Sequence, residues 1–73
     1  MKLSELRQDA GLTVLQVAKQ LNVSKECVYH YERGIRQLNL THVLTLSKLY
    51  GVSTEEVIEA QLNSLKDLKD SQT

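Results

Sequence analysis

Few side chains in this chain could catalyse a reaction or hold a metal: one cysteine, two histidines and nine carboxylates among 73 residues. A lone cysteine, Cys27, excludes an internal disulfide and any site built from several thiolates, and it fits a reducing compartment. Beside Val28 on a helix it is expected to pack as a small apolar side chain rather than to sense redox state, which needs an external thiol. His30 and His42 are too far apart, and too unaccompanied, for a metal site. No Ser/His/Asp arrangement, glycine-rich phosphate loop or carboxylate pair is present, so the sequence predicts no enzyme, no cofactor and no metal. The remaining polar groups are suited to contact. Lys25, Glu26, Tyr29 and His30 stand at i, i+1, i+4 and i+5, which on a helix makes one polar face opposite Val28 and Tyr31. Such a face is either solvated or a contact surface, and a tyrosine and a histidine with no core role favour contact.

Charge points the same way. The formal net charge is zero, yet residues 1–36 carry six Lys/Arg against four Asp/Glu, whereas residues 37–73 carry three against five. The first half is net +2 and the second net −2, so a polyanion would face the first half.

The elements that must position these groups lie between Leu12 and Gly34, in LTVLQVAKQLNVSKECVYHYERG. Val17, Ala18, Leu21, Val28 and Tyr31 fall on facing sides of two short helices. Asn22 tolerates a left-handed backbone, Ser24 can cap the second helix, and Ala18 is small where the two helices must approach. A helix-turn-helix follows, where an ordinary helical hairpin would want a longer connection and longer helices.

The rest of the chain fits one all-helical domain. It has no proline, three glycines and only three aromatic residues, all tyrosine, so the core must be aliphatic. No signal peptide or membrane span is legible, and a cytoplasmic protein is expected. A first helix is predicted over 2–10, ending at Gly11, and a second from Thr13, which with Gln16 forms a capping box, to about Gln20. A third runs from Ser24 or Lys25 to about Arg33, before Gly34. A polar linker over 35–39 leads to a fourth helix over 40–50, with Leu40, Val43, Leu44, Leu46 and Tyr50 as its apolar positions and Gly51 as its end. Ser53 or Thr54 caps a fifth, with Val57 and Ile58 facing the core. Residues 1–61 are thus expected as the domain, and 62–73 as a helical extension ending in a disordered tail from Asp70.

Read in order, LR at 6–7, GLT at 11–13, VA at 17–18, LNVS at 21–24, YERG at 31–34, LSKLYGVS at 46–53 and EE at 55–56 resemble the Cro/lambda-repressor-type helix-turn-helix family over about residues 2–59. The resemblance implies an all-α, five-helix fold whose third helix lies in the major groove of double-stranded operator DNA, and a two-fold dimer on half-sites about one helical turn apart. Lys25, Glu26, Tyr29 and His30 match the family's base-reading positions. Chemically, a lysine can donate to guanine O6/N7 and a glutamate can accept from cytosine N4, while Tyr29 and His30 could reach bases or phosphates. Arg7 and Glu32 match a structural ion pair joining the first helix to the third.

Two positions depart from the family pattern. Val14 stands where members commonly have a phosphate-anchoring glutamine, and Asn22 replaces the usual turn glycine. Thr13, Gln16, Ser24 and the second helix's amides are left to grip the backbone there, with Arg33, Arg36 and Asn39 after the third helix as further phosphate contacts or merely solvated groups. An exposed Val14 beside Leu15 would suit an apolar contact with another protein. A rival reading therefore stands beside the DNA-binding regulator: an antirepressor or modulator that binds a partner repressor through the same surface. Ile58, Leu62, Leu65 and Leu68 form a stripe beyond what the core needs; it either folds back over the core or makes the seam of a homodimer, and an extended fifth helix in a weak dimer is favoured.

Overall fold

The computed structural model describes the backbone of residues 1–72 and the side chains of residues 1–65. Five helices follow one another with no strand among the described residues: α1 Leu3–Asp9, α2 Val14–Leu21, α3 Lys25–Glu32, α4 Leu40–Tyr50 and α5 Thr54–Gln72. α5 therefore continues without interruption past residue 61 and past Asp70, where the sequence predicts disorder to begin; no glycine or proline stands after Gly51 to stop it. Thr73 lies outside the described residues.

Side-chain caps set most helix starts. At α2 the Thr13 hydroxyl accepts from the Gln16 amide at 3.1 Å and the Gln16 Oε1 accepts from the Thr13 amide at 2.8 Å, the reciprocal box legible in the sequence. Ser24 Oγ accepts from the Cys27 amide at 3.2 Å, and Ser53 Oγ from the Glu56 amide at 3.1 Å. α4 starts on Asn39, whose Oδ1 accepts from the His42 amide at 2.8 Å. Between α2 and α3 the chain reverses through Asn22, held left-handed at φ 59° and ψ 45°.

The core is aliphatic around one buried tyrosine. Leu3 and Leu6 from α1, Val17, Ala18 and Leu21 from α2, Cys27, Val28 and Tyr31 from α3, Val43 and Leu46 from α4, and Val57 and Ala60 from α5 meet in it, with Leu38 from the linker. Each fully buried aliphatic side chain contributes about 1.5–3 kcal/mol. α5 packs on α4, α1 and α3, and α2 packs on α3, so the helix-turn-helix is backed by the other three helices.

Two expectations about facing fail here, for Val14 and Ile58, and the apolar positions of α4 divide between two faces. Val14 is buried, not exposed: as the first residue of α2 it extends the inward line of Val17, Ala18 and Leu21, and only Leu15 beside it faces solvent. Leu40 and Leu44 fit helical spacing but face outward, 73% and 48% exposed, because Val43, Leu46, Ser47 and Tyr50 form the i, i+3, i+4, i+7 line that packs inward. On α5 the inward line is Val57, Ala60 and Ser64, which turns Ile58 out.

Gly34 has a second role beyond ending α3. Its φ is +76°, and a Cβ placed on it would stand 2.6 Å from the Ser64 carbonyl oxygen and 3.0 Å from the Leu65 Cα. The backbone of α5 thus rests directly on the turn that follows α3, a contact that only glycine permits. Nearby, Gln61 Oε1 accepts from the Leu38 amide at 2.6 Å and fixes the linker to the same helix.

Candidate nucleic-acid interface

α2 and α3 are eight residues each and are joined by a tight turn. The Val23 amide donates to the Ala18 carbonyl at 3.0 Å, and Ala18 is 2% exposed, so the two helices close on each other where a larger side chain would hold them apart. With Cys27, Val28 and Tyr31 turned inward, Lys25, Glu26, Tyr29 and His30 are left together on the exposed side of α3, with Arg33 just beyond its end. Among the described residues no charged partner is within salt-bridge distance of Lys25 or Glu26. The face presents a cation, a carboxylate, a phenol and an imidazole, a set able to donate and accept hydrogen bonds along one line.

Three polar ties hold this helix in place. The Arg7 Nε lies 2.7 Å from Glu32 Oε2 and its Nη2 3.4 Å from Oε1, a two-pronged ion pair from α1 to the last turn of α3. The remaining Arg7 nitrogen, Nη1, donates to the Leu12 carbonyl at 3.0 Å, which couples the same guanidinium to the entry of α2. Both side chains are largely buried, 14% and 9% exposed, so the pair is structural and does not belong to the polar face. Next, the Tyr31 hydroxyl meets His42 Nδ1 at 3.1 Å, with the rings edge to face at 5.8 Å, tying α3 to α4. Burial pushes the Tyr31 phenol above its usual range and the adjacent Cys27 adds to this, while Arg36 opposes it. The third tie is Arg36 Nη1, 3.8 Å from Cys27 Sγ. Behind the ion pair, burial and the Glu32 carboxylate push the Tyr50 phenol well above its ordinary value, against a smaller effect of Arg7.

The other residues predicted as phosphate contacts fall into two groups. Thr13, Gln16 and Ser24 lie exposed at the starts of α2 and α3, and their oxygens already serve as caps; Gln16 keeps its amide N–H donors and the two hydroxyls keep their protons. Arg33, Arg36 and Asn39 are exposed after α3. Asn39 caps α4, a role recognisable in advance from an Asn immediately before an apolar helical pattern. The Tyr31–His42 and Cys27–Arg36 contacts had no local signal, because each joins α3 to a later segment. On α5, Ile58 and Leu62 are 44% and 57% exposed and Leu65 is half-buried, while the Leu68 side chain lies outside the described residues. Among the described residues no three His, Cys, Asp or Glu side chains gather as a metal site would need, and no helix is long and apolar enough to cross a membrane.

A short helix, a left-handed Asn turn and a second short helix with a polar outer face, packed on three further helices, define a helix-turn-helix module. The sequence pattern of the helix-turn-helix family matches residues 3–57, and the chain belongs to that family. It is similar to the HTH-type transcriptional regulator ImmR of Bacillus subtilis (strain 168), with 39% identity over 57 residues. That match takes in 78% of this chain and 45% of the relative, so the chain spans less than half the relative's length. No solved structure matches it.

Proposed function

We propose that the chain is a small sequence-specific DNA-binding transcriptional regulator that acts as a Cro-like repressor or switch component in the cytoplasm. The observation that carries this reading is the polar outer face of α3, Lys25, Glu26, Tyr29 and His30, on the second helix of a tightly tied helix-turn-helix. α3 enters the major groove; Lys25 donates to guanine, Glu26 accepts from cytosine, and Tyr29 and His30 contact bases or the groove wall. Thr13, Gln16 and Ser24 on one side, and Arg33, Arg36 and Asn39 on the other, meet phosphates and set the register without reading sequence. Two copies associate through Ile58, Leu62 and Leu65, with Leu68 next in the same spacing, and place two α3 helices on adjacent half-sites. Occupying an operator is then enough to repress.

The experiment is selection from a random-sequence duplex library, followed by affinity against salt from about 50 to 200 mM. An enriched palindrome with a steep salt slope supports the reading. A folded protein that binds no duplex at low salt overturns it.

A second reading is favoured by one observation: Leu15 and Tyr29 are 49% and 44% exposed on α2 and α3, in a chain of zero net charge. On that reading the helix-turn-helix surface grips a partner repressor as an antirepressor. The burial of Val14 leaves this apolar surface smaller than the sequence suggests. DNA is therefore preferred.

A further inference from the structure

Arg36 does not extend from the domain as an unattached basic side chain. The amides of Ile35 and Arg36 both donate to the His30 carbonyl, at 2.9 Å and 3.2 Å, so the chain leaving α3 folds back over its last turn. From there Arg36 reaches toward the start of the helix, and its Nη1 donates to Cys27 Sγ at 3.8 Å. Cys27 is 9% exposed and stands one turn before His30 and Tyr31, where the buried side of α3 meets its polar face. The Tyr31 hydroxyl on the same buried side is occupied by His42. The exposed Arg36 guanidinium is therefore held against the Cys27 flank of α3, close enough to Tyr31 to act on its phenol, with four of its five N–H donors not spent on the sulfur.

We propose that Cys27 is a positioning residue for DNA binding, its sulfur holding the Arg36 guanidinium against α3 so that the remaining donors meet a phosphate on the wall of the groove that α3 enters. The proposal rests on the DNA-binding reading above and deepens it. A guanidinium anchored before the encounter gives up less rotamer freedom on meeting a phosphate than one that is free. Fixed at one flank, it also sets how deep α3 sits and therefore acts on all sequences alike. Alanine at position 27 would keep a small apolar group in the core but offer Arg36 no acceptor; serine would keep an acceptor.

The test compares wild type, Cys27→Ala, Arg36→Gln and the double variant on the selected duplex and on an unrelated one, each first shown to be folded by circular dichroism. In the free proteins the side-chain order of Arg36 is read separately from its 15Nε–1H heteronuclear NOE. Arg36→Gln is expected to weaken both duplexes equally and to make the log–log salt slope shallower by about 0.9, the value for one lost phosphate contact. Cys27→Ala is expected to lower the Arg36 NOE, to weaken binding in the wild-type background and to add nothing in the Arg36→Gln background. Cys27→Ser stands in if the alanine variant does not fold, and is expected to preserve the NOE and most of the affinity. A loss of affinity from Cys27→Ala that is just as large without Arg36 overturns the proposal, since the cysteine then acts through packing. An unchanged NOE also overturns it. Absence of any DNA binding by the wild type removes the underlying reading as well, and the NOE comparison keeps the two failures apart.

Discussion

Replacing Gly34 by alanine should damage this domain far more than the same change at Gly11, although both glycines are left-handed and both follow a helix. At Gly11, φ is +72° and a Cβ would meet nothing within 4 Å, so the cost is the left-handed strain alone, about 1 kcal/mol. At Gly34, φ is +76° and the strain is the same, but the Cβ would lie 2.6 Å from the Ser64 oxygen and 2.8 Å from its carbonyl carbon. Both atoms are backbone in the middle of α5, so no side chain can swing aside. Relief to an ordinary contact of 3.4 Å needs α5 to move by about 0.8 Å, away from a core in which Val57 and Ala60 are completely packed. Overpacking of that kind costs about 1–3 kcal/mol beyond the strain. The total of about 2–4 kcal/mol is a large share of the margin of a 73-residue domain, at about 0.05–0.15 kcal/mol per residue. Urea unfolding followed by circular dichroism measures both variants against wild type. Equal losses for Gly34→Ala and Gly11→Ala, within about 0.5 kcal/mol, would refute the claim that α5 rests on the turn after α3.

Three further outcomes are expected. Glu32→Gln and Arg7→Met should each destabilise by about 2 kcal/mol or more, because each strands a largely buried partner, while the double variant should lose clearly less than their sum; additive losses in a urea-unfolding cycle would contradict a coupled pair. Because burial raises the phenols of Tyr50 and Tyr31, their contribution to stability is fully present below their unfolded value of 10.0 and is lost as pH rises beyond it. Tyr50→Phe should therefore flatten the fall of unfolding free energy above pH 10, and an unchanged alkaline slope would tell against desolvation of this half-buried phenol. Leu62→Glu should leave the helical spectrum and thermal unfolding of the monomer near wild type, since Leu62 is 57% exposed, but should abolish self-association in sedimentation equilibrium; a wild-type association constant would place the seam elsewhere.

The parts of the fold legible in the sequence are those with a local chemical signature. Thr13 with Gln16, Ser24 before Lys25, Asn22 in the turn and Gly51 after Tyr50 each act within four residues of their own position, and each stands in the structure as read. The exposed face of α3 was legible too, because a period of 3.6 residues fixes which side chains point together. What escaped depends on the way helices meet. Leu40 and Leu44 have the spacing of core residues, but the rotation of α4 is decided by which line, theirs or that of Val43, Leu46 and Ser47, packs on α5 and α1. The glutamine it replaces marks Val14 as a surface position, whereas at the start of α2 it reaches the core. Gly34 carried a helix-end signal that concealed its second role, since Ser64 is thirty residues further on. The same holds for the candidate interface. Its residue types were visible along α3, while the ties that hold Arg36 and Tyr31 in place were not.

Lys25 offers the most direct test of the central claim that the polar face of α3 reads base sequence. The library selection should be repeated with Lys25→Ala, and the enriched duplexes compared with those taken by the wild type, position by position. The account predicts weaker binding to the wild-type operator and relaxed preference at one base pair in each half-site, worth about 1–3 kcal/mol of discrimination. A uniform loss on every sequence, with the preference profile unchanged, would make Lys25 a phosphate contact and contradict base reading by this face.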